Sequence, residues 1–415
     1  MILLIALVIS IIGVRFYKIL PFIPVLLWVL LPAEAQSILG LASASMPHVS
    51  TLVVLFSLIM CGIFRPYIVS AGVGRLGILS LPILFFALYT SLVTYFSVED
   101  VSISVNLNQI VSPLILVFIT IGVIRYNPAS VRLLTILLIS LASLEAVFSV
   151  VQYLLKDYLF YSVIFKETVW WSDEYYRSVG SFDHFLVLGS FLSLCVPLAG
   201  FFKNSVFKLT YLALIISGIA FSQSRFSFIL AAIGTVYVLL STRSFAVKTI
   251  SVLVSAVSLP FIIRLPVFAP IFMRFEDDQN SNEIRLKAYA WFRENWTDFI
   301  FSARGFGDSF NVASSAGLRS SFESAFIIYS IDFGILFALS YFLFFVIIIL
   351  KSKSEGYLKV SALLSLTLPM TFSSIGVDSA LATVIFFVVA LSIAECHKIS
   401  EFSTKSTAAT RMQSD

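Results

Sequence analysis

Proton transfer and anion binding are the chemistries this chain is equipped for, and Glu323, Arg225, Arg285 and Arg177 are the side chains placed to carry them. Glu323 stands in R-S-S-F-E-S at 319–324, where a polar run meets an apolar stretch. A carboxylate at such a boundary is partly desolvated, and its affinity for a proton can be tuned for abstraction from a hydroxyl. The same position also suits a carboxylate that simply faces the positive end of the following helix. Arg225 closes S-Q-S-R at 222–225, a connection too short to lift it far from the apolar runs on either side. Its guanidinium either snorkels to water or points into a polar cavity between helices. A planar, always-charged fork makes paired hydrogen bonds to a diphosphate that a lysine cannot. Arg177 opens R-S-V-G-S-F-D-H at 177–184, either as an interfacial anchor beside aromatics or as a further phosphate contact. His184, Asp183, Ser324 and Arg319 flank these positions as supporting groups. Glu145 and Asp332 fall within apolar runs, where structural hydrogen bonding is the leading reading and a proton relay the lesser one.

The elements that must position these groups are helices in a membrane. Of 415 residues 59% are hydrophobic and 12% charged, which exceeds what a soluble domain of this length carries. The net charge of +4 is small and its basic residues are scattered, so no nucleic-acid partner is expected. Cys61, Cys195 and Cys396 form no close pair and no Cys/His cluster, so neither a disulfide framework nor a metal site is expected. The first apolar run starts at Met1 without a basic leader or a small-residue cleavage site, and reads as a span rather than a signal peptide. His48 and His397 stand alone near opposite surfaces and receive no role.

Apolar runs long enough to cross a bilayer, some only with tilt, fall near 1–14, 18–32, 49–64, 76–96, 107–124, 131–155, 184–202, 206–222, 226–241, 248–269, 323–350, 357–374 and 376–395. The fold expected is therefore all-α, a polytopic integral membrane bundle of about 12–13 transmembrane helices with one large polar loop. Arg15 and Lys18, Arg65 and Arg75, Arg125 and Arg132, Lys203 and Lys208, Arg243 and Lys248, and Lys351, Lys353 and Lys359 occupy every second connection. The preference of lysine and arginine for short cytoplasmic loops puts these inside and the alternate connections outside. The chain then starts outside, ends inside, and carries the polar run from Arg274 to Glu323 on the outer face.

The expected organisation is N-terminal helices over 1–155, an outer loop over 156–183, central helices over 184–269, the large outer loop over 270–322, C-terminal helices over 323–396 and a cytoplasmic tail over 397–415. Within the large loop, Leu286, Tyr289, Phe292, Trp296, Phe299 and Ile300 recur at three- and four-residue spacing, which predicts an amphipathic helix over 283–300. Gly305 and Gly307 mark a turn after it, and 308–321, small and polar, reads as a mobile lid.

Taken in order, these pieces resemble the O-antigen polymerase and ligase family of bacterial envelope glycan enzymes. The matching residues are R-S-V-G-S-F-D-H at 177–184, S-R at 224–225, Arg285 with an aromatic helix containing Trp291, G-F-G at 305–307, and E-S at 323–324 before an apolar stretch with Gly334. The likeness covers roughly 177–350. It implies a glycosyltransferase of the bacterial inner membrane that uses glycans carried on undecaprenyl diphosphate, works on the periplasmic face and needs no nucleotide sugar, metal or other cofactor. Its partners would be the lipid-linked oligosaccharides, the bilayer, and a flippase and a chain-length regulator of the same pathway. Arg225, Arg285 and Arg177 would hold the diphosphate, and Glu323 would act as base. His184, Asp183, Ser324 and Arg319 would contact glycan or support the site. Ligase members, which transfer the finished chain to lipid A core, usually show a His before the Asn or Ser at the position Glu323 occupies. This chain departs from that pattern, which favours an inverting polymerase of O-antigen, capsule or exopolysaccharide over the ligase. A flippase or other transporter of lipid-linked oligosaccharide is the rival from another class, but transporters concentrate their ionisable residues near the midplane.

Overall fold

A computed structural model describes residues 1–40, 46–97, 100–162, 166, 176–241, 281–318, 322–371 and 380–394. Among them the regular structure is all helical. The apolar runs at 49–64 and 131–155 become the helices Val49–Phe64 and Ala129–Leu155. The second, at 27 residues, is about 40 Å long and exceeds the thickness of a bilayer core. It stops at Lys156, whose left-handed conformation (φ 50°) closes the helix.

The middle of the bundle is formed by helices that bury nearly every side. All residues of Leu381–Ala394 are buried, as are all of Phe185–Cys195 except Leu186 and most of Ser112–Tyr126. Helices apolar all round are core helices of a large or membrane-embedded bundle. Ser80–Ser97 lies at the edge and leaves Leu81, Leu84, Phe85, Leu88, Leu92 and Phe96 exposed, an apolar face that lipid would cover. The helices Gly77–Ser97, Ser102–Tyr126, Ala129–Leu155 and Ser205–Ser222 are long and apolar enough to cross a membrane. A membrane bundle is thus supported, whereas the expected 12–13 uninterrupted spans are not what the described residues contain.

Breaks account for the difference. Val49–Phe64 and the following Pro66–Gly74 segment bend by 106° at Arg65. The Pro66 ring disfavours helical geometry in the residue before it, and Arg65 sits at φ −142°, ψ 52°. The connection expected between two spans is therefore itself a helix, Pro66–Leu76. The run at 323–350 is divided into Ala325–Phe333 and Ile335–Lys351 by Gly334, at φ 102°. A Cβ there would press on the main chain of Ile300 and Ser302. Only glycine accepts both the dihedral and the approach. The run at 18–32 yields a helix over Phe22–Leu30 alone, and the run at 248–269 lies outside the described residues.

The polar segment also differs from expectation in one part. Its amphipathic helix forms over Ser281–Asn295 and continues as a short 3-10 turn over Trp296–Phe299. The stretch read as a lid instead contains a helix, Asp308–Ser315, with Ser309, Val312 and Ala313 buried.

Candidate functional site

The 177–184 segment is shaped by polar side chains projecting from one helix. Glu145 and Gln152 lie about two turns apart on Ala129–Leu155, hence on one face. The Gln152 amide oxygen accepts the Val179 and Gly180 N–H groups at 3.1 and 2.8 Å, and its nitrogen donates to the Gly180 carbonyl at 2.6 Å. Glu145 Oε2 accepts the Ser181 N–H at 2.9 Å, and Ser181 Oγ lies 2.7 Å from Oε1. Gly180 is at φ 64°, and a Cβ there would collide with the Glu145 carboxylate. Glu145, wholly buried, therefore satisfies the Ser181 amide and hydroxyl, in line with the structural reading of this residue.

This loop presents Arg177 to the 222–225 hairpin. Arg177 Nε and Nη2 donate to the Ser222 and Gln223 carbonyls at 3.2 and 3.1 Å, at the C-terminal end of Ser205–Ser222. A cation there satisfies terminal carbonyls and complements the helix dipole. The guanidinium also stacks 3.1 Å from the centre of the Phe185 ring. Gln223 turns the hairpin at φ 53°, and Arg225, half-buried, begins the Arg225–Ser241 helix. The structure thus brings Arg177 and Arg225 to one hairpin, a proximity that spacing along the chain does not reveal. His184 has a more local task than contact with a ligand. Its Nδ1 accepts the Leu186 N–H at 3.1 Å and caps the Phe185–Cys195 helix. Asp183 is half-buried beside it.

The second group is built where the amphipathic helix docks. Arg285, Ala288 and Phe292 share a face of Ser281–Asn295. Ala288 is buried, and the Trp291 ring lies 5.5 Å from Phe322 and 6.0 Å from Phe299. Docking through Trp291 carries Arg285 to Glu323, with Nε 2.6 Å from Oε2. Both side chains remain about a third exposed, at 33% and 31%. Glu323 is fixed from both sides, by Phe322, which is buried, and by Ser324, whose hydroxyl caps the Ala325–Phe333 helix. It is held at φ 47°, a left-handed conformation that costs a residue with a Cβ roughly 1–3 kcal/mol. Strain of this kind persists only where the surroundings enforce it, and it gathers at functional sites.

No protein-family model and no curated protein matches the chain.

Asp332, in contrast, is fully committed to structure. Its carboxylate accepts the Gly307 and Ser309 N–H groups at 2.9 and 2.7 Å, and its carbonyl accepts those of Arg304 and Gly305 at 2.9 and 3.0 Å. That cradle explains why 308–315 is an ordered helix instead of a lid. Among the candidates, Arg319 lies outside the described residues. Sequence reasoning missed Gln152 and Thr94. Gln152 was detectable as a polar residue two turns from Glu145 on an apolar helix, whereas Thr94, which accepts the Phe306 N–H at 3.1 Å, has no such signal.

Proposed function

We propose that the chain is a membrane polysaccharide polymerase that joins oligosaccharide repeats carried on undecaprenyl diphosphate, on the periplasmic face of a bacterial inner membrane. The observation that carries this reading is the Arg285–Glu323 pair, a solvent-reachable carboxylate in a strained backbone held by a guanidinium. The acceptor hydroxyl attacks the anomeric carbon of the donor glycan, a new glycosidic C–O bond forms, and the bond to the diphosphate breaks with its electron pair leaving on that group. Glu323 takes the hydroxyl proton. Direct displacement inverts the anomeric centre, since no second carboxylate serves as nucleophile in this scheme.

The leaving diphosphate is already acidic, so the main task at that end is neutralising its charge. Arg225 on the 222–225 hairpin, Arg177, which donates to that hairpin's carbonyls, and Arg285 supply that charge. Arg285 has a further effect. A diphosphate that engages its fork competes with Glu323 for it, so arrival of donor uncovers the base.

The test is the gel profile of surface and lipid-linked glycan in a strain lacking the protein, complemented with wild type, Arg225→Ala or Glu323→Gln. Single repeats on their final carrier in the deletion, with long chains restored by wild type alone, support polymerisation. Long chains accumulating on undecaprenyl diphosphate would indicate a ligase, and single units trapped on the cytoplasmic side a flippase. Glu323→Gln should lower the polymerisation rate by about 10²–10⁴ with protein level unchanged. Wild-type polymer length and amount in that variant would remove the base assignment.

A further inference from the structure

At the end of the bundle that charge bias assigns to the cytoplasm, three separate connections meet around Arg65. Arg65 Nη1 donates to the Tyr67 hydroxyl at 2.5 Å, and its guanidinium lies 5.0 Å from the Tyr17 ring centre. The Tyr126 ring stacks on Tyr67 at 4.2 Å and meets Tyr17 edge-on at 5.7 Å. These contacts draw together the ends of Ile2–Arg15, Val49–Phe64 and Ser112–Tyr126. Arg15, Lys18 and Arg125, all exposed, lie within two residues of Tyr17 or Tyr126 along the chain. The stretches 15–22, 64–77 and 124–132 contain no aspartate or glutamate, so nothing within them neutralises the cluster.

We propose that this arginine and tyrosine cluster is a binding site for the phosphate headgroup of an anionic phospholipid in the leaflet at that end. The chemistry is complementary on each side. The bond to Tyr67 uses one of the five N–H donors of the Arg65 guanidinium, and a phosphate takes the remaining edge of such a fork in paired, charge-assisted bonds. Exposed Arg15, Lys18 and Arg125 add attraction that a zwitterionic headgroup cannot return in full. Tyrosine rings are at home at headgroup depth, with the ring toward the acyl chains and the hydroxyl toward water. The 106° bend at Arg65 turns the chain aside at this point, and Arg65 is partly exposed.

The test is native mass spectrometry of the purified full-length protein with defined lipids. Phosphatidylglycerol should be retained over phosphatidylcholine, and Arg65→Gln with Arg125→Gln should lower its retention about tenfold. Lys351→Gln with Lys353→Gln removes the same charge outside the cluster and should leave retention unchanged. Arg65→Lys keeps the charge without the fork and should fall between wild type and the double variant. Should the double variant fail to fold, Arg125→Gln alone, at an exposed position, gives the same comparison with a smaller loss. Equal retention of the two lipids, an equal loss in the lysine variant, or displacement of the lipid by millimolar inorganic phosphate would each overturn the proposal.

Discussion

Glu323 and Asp332 flank and end the same short helix, Ala325–Phe333, yet the chain uses them in opposite ways. Asp332 is wholly buried, and its carboxylate is occupied by two backbone N–H groups and the Ser309 hydroxyl. Glu323 is a third exposed, holds a single guanidinium nitrogen through one oxygen, and sits on a strained backbone. A carboxylate surrounded by donors it cannot release is fixed in one state. One tied to an exchangeable partner at the surface of the bundle can accept a proton when that partner is drawn elsewhere. Glu145 belongs with Asp332, since it too organises a loop from a fully buried position. The lesson is that polarity within an apolar run marks loop architecture, and that the reactive candidate stands where the run begins.

The sharpest way to break this contrast is to remove the buried member. Asp332→Leu leaves the Gly307 and Ser309 amides without acceptors in an interior position. It should cost roughly 2–6 kcal/mol, about 1–3 for each of the two N–H groups left without an acceptor. The expected outcome is loss of monodisperse protein in detergent, read by size-exclusion chromatography. A well-folded Asp332→Leu protein with normal polymer output would show that the cradle is dispensable. Gln152→Leu should act in the same sense but more weakly, by about 1–3 kcal/mol, because three loop hydrogen bonds lose a neutral partner. A melting temperature equal to wild type would dissociate the 178–181 loop from this helix.

How much of this was legible beforehand depends on which forces shape each part. The helices Val49–Phe64 and Ala129–Leu155 follow from unbroken apolar runs, since a backbone in lipid must satisfy its own hydrogen bonds. A helix over Ser281–Asn295 was readable from apolar spacing, but its docking face was not, because Leu286, Tyr289 and Trp296 of the expected face are exposed and the contact runs through Ala288 and Trp291. The division at Gly334 was not, because a lone glycine in an apolar run carries no local mark, and only the packed main chain of Ile300 and Ser302 requires it. The Asp308–Ser315 helix was also hidden. Its small polar residues have weak helical preference, and its order comes from Asp332, a contact made across the fold. Arg285 and Glu323 were each visible as candidates, but their pairing needed the Trp291 anchor.

A smaller effect sharpens the comparison from the other side. If Glu323 is strained to serve a purpose, replacing it with glycine should stabilise the protein while removing function. Glu323→Gly relieves a left-handed backbone at φ 47°, which favours the folded state by up to about 1 kcal/mol after the added freedom of the unfolded chain is subtracted. The lost contact with Arg285 is an ion pair about a third exposed, and its removal offsets only about 0–1 kcal/mol of that gain. The expected result is a melting temperature equal to or above wild type together with loss of polymer. A marked fall in melting temperature would mean that the Glu323 side chain holds the Ser281–Asn295 helix in place, and that its conformation serves architecture as Asp332 does. The converse control is His184, where the structure assigns a cap. His184→Asn preserves an acceptor at the start of Phe185–Cys195, and should leave stability within about 0.5 kcal/mol, whereas His184→Ala should cost about 1 kcal/mol. Equal behaviour of the two variants would remove the capping role and return His184 to the group of residues that act on a ligand.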